Sequence, residues 1–112
     1  MKTFDVTSEQ HGDSAHLRLS GELDISSAAK VDDELARVEQ DRPELIVLDL
    51  RQLAFMDSTG LRLLIAADTR ARKQSRRLLI VKGPEAVQRV FRITRLEERL
   101  DLVDDVPAEA AG

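Results

Sequence analysis

The sequence predicts an α/β fold: a single domain with a mixed, mostly parallel β-sheet opened by an N-terminal β-hairpin. Three observations carry that prediction. Short apolar runs of strand character alternate with segments of helical period, in the order β-β-α-β-α-β-α with a weak final β or α element. The chain has 112 residues, the length of one domain. Its 42% apolar and 34% charged residues are the balance of a globular protein with one modest core.

The first strands are predicted at Thr3–Ser8 and Ala15–Ser20, joined through the turn signal His11-Gly12-Asp13. In the second, Ala15, Leu17 and Leu19 alternate with His16, Arg18 and Ser20, so one face is buried and His16 is expected as a surface residue on the other. Ala28, Val31, Leu35 and Val38 then repeat at helical spacing within Ser26–Gln40, with Asp24 or Ser26 available as a cap and Pro43 as a stop. Leu45-Ile46-Val47-Leu48 is a continuous apolar run, the mark of a strand covered on both faces.

Ser58–Lys73 follows as a helix, with Leu61, Leu64, Ile65 and Ala71 on one side. Leu78–Val81 repeats the buried-strand pattern and ends at Gly83-Pro84. Glu85–Phe91 is a shorter helix, and Glu97–Leu102 is a segment of undecided type. Residues 1–106 are expected to form the domain, and 107–112 a flexible tail.

Composition removes several classes of function. With no Cys there is no disulfide framework, thiolate zinc site or cysteine nucleophile. Seventeen Lys and Arg against 21 Asp and Glu give a net charge of −4, and there is no Trp or Tyr and only three Phe. That balance argues against direct nucleic-acid binding. No apolar stretch approaches the ~18 residues of a membrane span, and Met1–Asp5 lacks an apolar signal core, so a cytoplasmic protein without membrane contact or cofactor is expected.

Right-handed crossovers bring the loops after strands two, three and four to one edge of the sheet, where open α/β sheets bind their partners. Those loops carry Glu22-Leu23-Asp24, Phe55-Met56-Asp57-Ser58 and Lys82-Gly83-Pro84. Asp24 and Ser58 are therefore expected to face one another. Asp57 or Ser58 suits a helix cap, and Gly60 in the first turn gives up to ~1 kcal/mol of helix propensity while letting another chain approach its backbone. Phosphorylation of Ser58 would add about −1.5 to −2 charges, changing the binding surface without unfolding the domain.

Leu19-Ser20-Gly21-Glu22-Leu23-Asp24, the run Leu45–Leu50 and Phe55-Met56-Asp57-Ser58-Thr59-Gly60-Leu61 together resemble the STAS domain of bacterial anti-sigma factor antagonists, from about Phe4 to Val106. The resemblance implies a STAS-like α/β fold and a non-enzymatic role. It implies that Ser58 is phosphorylated by an anti-sigma factor serine kinase, which the unphosphorylated form binds so that a sigma factor is released. A metal-dependent, PP2C-type serine phosphatase would restore that form. Asp24, Asp57, Thr59 and Gly60 match positions around the phosphosite. Where the family often has a small residue, this sequence has Arg62, one helical turn from Ser58 and within reach of a phosphate or a partner. A monomer or weak dimer is expected.

Three other readings compete. A non-phosphorylated STAS module would serve as an interaction subunit of a transporter or signalling assembly. A response-regulator receiver would use Asp49 as phosphoacceptor and Lys82 as its lysine, but the opening hairpin replaces the required first βα unit. An enzyme with Ser58 as nucleophile needs a base, and both His11 and His16 lie on the hairpin. The basic run Arg70–Arg77 is expected as a solvated helix C-terminus rather than a docking patch.

Overall fold

A computed structural model describes residues 4–111 of the chain. Strands β1 (Phe4–His11) and β2 (Ser14–Leu23) pair antiparallel across a tight turn, in which Gly12 takes a left-handed φ of 62°. The expected strand start at Thr3 and the tail's last residue, Gly112, lie outside the described residues. Strand β3 (Leu45–Met56) is parallel to β2, β4 (Arg77–Val81) to β3, and β5 (Leu102–Val103) to β4. The sheet order is therefore sequential, β1-β2-β3-β4-β5. Helices α1 (Ala28–Gln40), α2 (Ser58–Lys73) and α3 (Glu85–Thr94) make the three crossovers.

Most elements stand where the periodicity predicts them. Helix α2 has the predicted bounds, and Val31, Leu35 and Val38 are the buried stripe of α1. Helix α1 starts two residues late because the Ser27 and Ala28 amides are turned back onto Asp24 O. Strand β3 runs on to Met56, since its last rungs pair with the end of β2. The undecided segment contains a 3₁₀ turn at Leu96–Glu98, and β5 follows it.

Alternation along β2 and β3 divides the sheet into two faces. Ala15, Leu17, Leu19, Ile46, Leu48 and Leu50 join the buried side chains of α1, α2 and α3 in one core. The other face carries Leu45, Val47 and Val81, and it too is buried. Its cover comes from the C-terminal segment: Val103, Val106 and Ala110, the last on a one-turn helix α4 (Ala108–Ala111). Ala110, within the 107–112 stretch expected as a flexible tail, is buried: α4 packs over β1 and β2, and Ala110 joins this apolar cluster.

The same cover corrects the reading of His16. It does lie on the polar side of β2, but it is only 2% exposed. Its Nε2 is 2.9 Å from Asp49 Oδ2, across the parallel β2–β3 pair. Asp49 also accepts from the Arg51 backbone N–H (3.1 Å), Nε (3.0 Å) and Nη2 (2.8 Å). Burial alone would raise the Asp49 carboxyl, but the bonds from Arg51 and His16 outweigh it and hold it at about 2, against an ordinary 3.8.

The basic run is mostly exposed, as expected of a solvated helix C-terminus, with Arg76 as the exception. Arg70 pairs with Glu39 at 3.1 Å and Arg72 with the buried Asp68 at 2.8 Å. Arg76 is buried and donates from Nε to Pro43 O at 2.7 Å. Arg70, Arg72 and Arg76 are thus engaged within the fold.

Gly60 is set by the interior, not by an approaching chain. It is buried, and a Cβ there would lie 2.8 Å from both Leu23 Cγ and Met56 Cγ. The first turn of α2 is thereby seated on the ends of β2 and β3. Gly60→Ala gains helix propensity but overpacks this contact, and should destabilise the fold by about 1–3 kcal/mol in urea unfolding. A stabilised Gly60→Ala variant would contradict that packing. Asp49→Asn should lose about 2 kcal/mol near neutral pH. Because the folded carboxyl titrates below its ordinary value, the gap from wild type should be full above about pH 4 and close toward pH 2 in acid unfolding.

Candidate functional site

The ends of β2 and β3 place the two distant motifs side by side. Leu23 and Met56 are register partners, and the Asp57 backbone N–H donates to Leu23 O at 3.2 Å. Asp24 and Ser58 each lie within two residues of that shared rung, as the crossover rule predicts. Asp57 is the N-cap of α2, with extended backbone (φ −106°, ψ −170°). Its Oδ1 accepts from the Thr59 and Gly60 amides at 2.9 and 3.2 Å. The choice between Asp57 and Ser58 as cap therefore falls to Asp57. Ser58 is the first helical residue, and it is exposed.

Asp24 is 4% exposed and fixed in a turn. Its Oδ1 accepts from Ser26 N at 2.9 Å and Ser26 Oγ at 2.6 Å. Its own N–H donates to Ser27 Oγ at 2.9 Å, while that hydroxyl donates to Glu22 O at 2.7 Å. Ser27, not Asp24 or Ser26, stands at the N-cap position of α1, without a side-chain cap bond. Arg62 is exposed one turn along α2 from Ser58 and forms no ion pair among the described residues.

The third loop is closed against the sheet. Gly83 donates its N–H to Gln88 Oε1 at 2.8 Å, and a Cβ on it would lie 2.7 Å from Leu50 O. Lys82 is 3.3 Å from Asp104. Asp49 is buried on the outer face with both oxygens occupied, so it does not stand as an exposed acceptor beside Lys82. Neither histidine serves Ser58: His16 is bonded to Asp49, and His11 lies at the hairpin end of β1, 3.2 Å from Glu9.

Sequence reasoning missed two residues at this edge. Ile25 is 80% exposed and Phe55 is 45% exposed; with Ile93 on α3 they are the exposed large apolar side chains among the described residues. Ile25 directly follows Asp24, and Phe55 precedes the Met56 rung. The available signal was a large apolar side chain in each loop flanking the Asp-Ser-Thr-Gly run. Among the described residues, no group of three or more His, Cys, Asp or Glu is placed to hold a metal ion, and no helix is long and apolar enough to cross a membrane.

Comparison with known proteins agrees with this arrangement. The anti-sigma-B factor antagonist of Staphylococcus epidermidis is 25% identical over 106 residues, covering 95% of this chain and 98% of that protein. A crystal structure of an anti-sigma factor antagonist from Mycobacterium paratuberculosis superposes with a TM-score of 0.85 at 25% identity, covering 93% of this chain and 88% of that one. SpoIIAA, the Bacillus cell fate determinant, solved in its unphosphorylated form, shares the fold with a TM-score of 0.72 at 20% identity, covering 90% of this chain and 88% of its own. The model of the STAS domain family matches residues 5–109. A sequential five-strand sheet, an exposed serine directly after the Asp57 cap of α2 and a family match over nearly the whole length converge: this chain belongs to the STAS domain family.

Proposed function

We propose that this STAS domain is a cytoplasmic anti-sigma factor antagonist whose partner is an anti-sigma factor serine kinase, and that phosphorylation of Ser58 switches it off. The observation that carries the reading is the division of labour at the start of α2. Asp57 already fills the capping bonds, so the neighbouring exposed hydroxyl is free for chemistry. The names of the relatives support the regulatory role.

A phosphoryl group on Ser58 adds about −1.5 to −2 charges beside Asp57 and close to Asp24. The α2 dipole tolerates that charge, and no internal hydrogen bond has to break at the cap. The binding edge, however, changes from one with exposed Ile25 and Phe55 around a neutral hydroxyl to one dominated by a dianion. Burying that dianion against a partner is costly unless the partner supplies cations. The result is loss of binding with the fold intact. A PP2C-type phosphatase would reverse it. Thr59 and Gly60 act through the cap and the packing beneath it. Arg62 supplies a nearby cation to the phosphate or to the partner.

Affinity capture from the native cytosol, with purified Ser58→Ala and Ser58→Asp proteins beside wild type, tests the switch. Wild type and Ser58→Ala should retain a nucleotide-binding kinase, and Ser58→Asp should bind it at least about tenfold more weakly. Both variants should unfold within about 0.5 kcal/mol of wild type, since neither touches the cap. Equal capture by all three would end the proposal. Arg62→Ala should weaken kinase binding or alter the rate of phospho-Ser58 hydrolysis several-fold. If both stay at the wild-type value, Arg62 is only a solvated side chain.

A further inference from the structure

Arg76 is a buried charge without a counter-ion. It is 8% exposed, and a guanidinium stays protonated throughout the pH range of proteins. Its Nε donates to Pro43 O at 2.7 Å, a neutral acceptor. Arg70, Arg72 and Arg77 of the same run each pair with a carboxylate, but among the described residues Arg76 does not. Buried charges are ordinarily paired, so the four N–H donors of Nη1 and Nη2 are the informative atoms. No acceptor among the described residues meets them, yet neither nitrogen is a sealed polar atom as His16 Nδ1 is. Both therefore keep accessible surface.

That surface belongs to a cavity of about 470 Å³, lined by Arg42, Pro43, Glu44, Gln74, Ser75 and Arg76. Its volume is that of a small-molecule site. The cavity lies where the α1–β3 and α2–β4 connections meet, at the opposite end of β3 from Ser58. Each connection places a residue with left-handed backbone in the lining: Arg42 at φ 50° and Ser75 at φ 54°. Both directly follow a helix C-cap, and their amides turn back to Glu39 O and Arg72 O. Glycine is the usual residue there, but glycine would leave the cavity without a guanidinium and a hydroxyl.

We propose that this cavity binds a small monocarboxylate, whose two oxygens accept from Nη1 and Nη2 of Arg76. With Nε held by Pro43 O, those two nitrogens form the planar fork that matches a carboxylate. Arg42 is exposed, forms no ion pair among the described residues and supplies a second cation at the rim. Gln74 and Ser75 offer an amide and a hydroxyl to the rest of the molecule.

The charges around the cavity select a monoanion. Arg42 and Arg76 against Glu44 leave one positive charge in the lining. Glu44 is exposed, and its backbone is fixed between Asp13 O and the Arg77 amide. The C-terminal ends of α1 and α2 add partial negative charge. They offset part of the Arg76 charge without occupying its Nη donors, and together with Glu44 they oppose a dianion.

Acetate and lactate are the probes, with sulfate as the dianion and chloride as the balancing ion; none of them changes charge near pH 7. They are titrated at constant ionic strength into the full chain while the Arg76 Nε–H and Ser75 amide signals are followed by NMR. At least one carboxylate should saturate both signals below about 100 mM, at least about threefold more tightly than sulfate, with no response to chloride. Arg76→Lys keeps the charge and loses the fork, and should weaken binding at least about fivefold. Arg42→Gly suits the left-handed backbone, so the fold is kept while binding weakens several-fold. Glu44→Gln removes the opposing carboxylate and should tighten sulfate more than acetate, narrowing the preference. Absence of saturation by either carboxylate, tighter binding of sulfate than of both, or wild-type affinity in Arg42→Gly would each overturn the proposal. Arg42→Gly and Glu44→Gln alter exposed side chains, so they decide the matter even if Arg76→Lys fails to fold.

Discussion

Leu23 O accepts the Asp57 amide just beyond the last rung of the parallel β2–β3 pair, and the layout of the sheet edge follows from that bond. It brings together two loops separated by about thirty residues of sequence. It also fixes where α2 begins, because Asp57 is both the residue that makes the bond and the residue that caps the helix. Gly60 completes the arrangement by allowing the first turn of α2 to rest directly on Leu23 and Met56. A one-residue slip of β3 would move the cap, the serine and the glycine together, and would turn every buried side chain of that strand to the wrong face.

Rigid surroundings and an unencumbered hydroxyl are complementary features of this edge. Asp24 is buried in a turn that engages its carboxylate with Ser26, and Asp57 is engaged with two amides. Ser58 is exposed directly after the Asp57 cap. Its environment is preorganised, so a change at its oxygen alters surface potential and leaves the backbone beneath it unchanged. Exposed Ile25 and Phe55 give the same edge apolar area that, under the proposed switch, a partner would desolvate beside Ser58.

Local patterns made most of this legible in the sequence. The α2 bounds follow from the Asp57 cap and the 3.6-residue spacing of Leu61 and Leu64, and the neighbouring loops follow from the handedness of crossovers. Contacts from remote segments were not legible. His16 sits in an alternating strand whose outer face reads as solvated, and only the returning C-terminal segment reveals that it is covered. Gly60 read as an open approach because no local pattern shows Leu23 and Met56 beneath it. The end of β3 was hidden by Arg51 and Gln52, which break the apolar run, although after a register shift the strand pairs with β2 again from Gln52 to Met56. Arg76 was lost in a basic run, since its acceptor, Pro43 O, belongs to another connection.

The sequential strand order has a consequence for how the molecule is made. Each strand docks on the one synthesised just before it, so the sheet can grow in the direction of translation, with one helical crossover to close at each step after the hairpin. The core facing α1, α2 and α3 is assembled progressively in this way. The outer face is different. Its cover comes from the segment that follows β4, and until that segment arrives His16 and Asp49 meet in water and not in the interior. The nascent chain thus carries a finished inner layer and a wet outer one until the segment after β4 docks and seals the sheet.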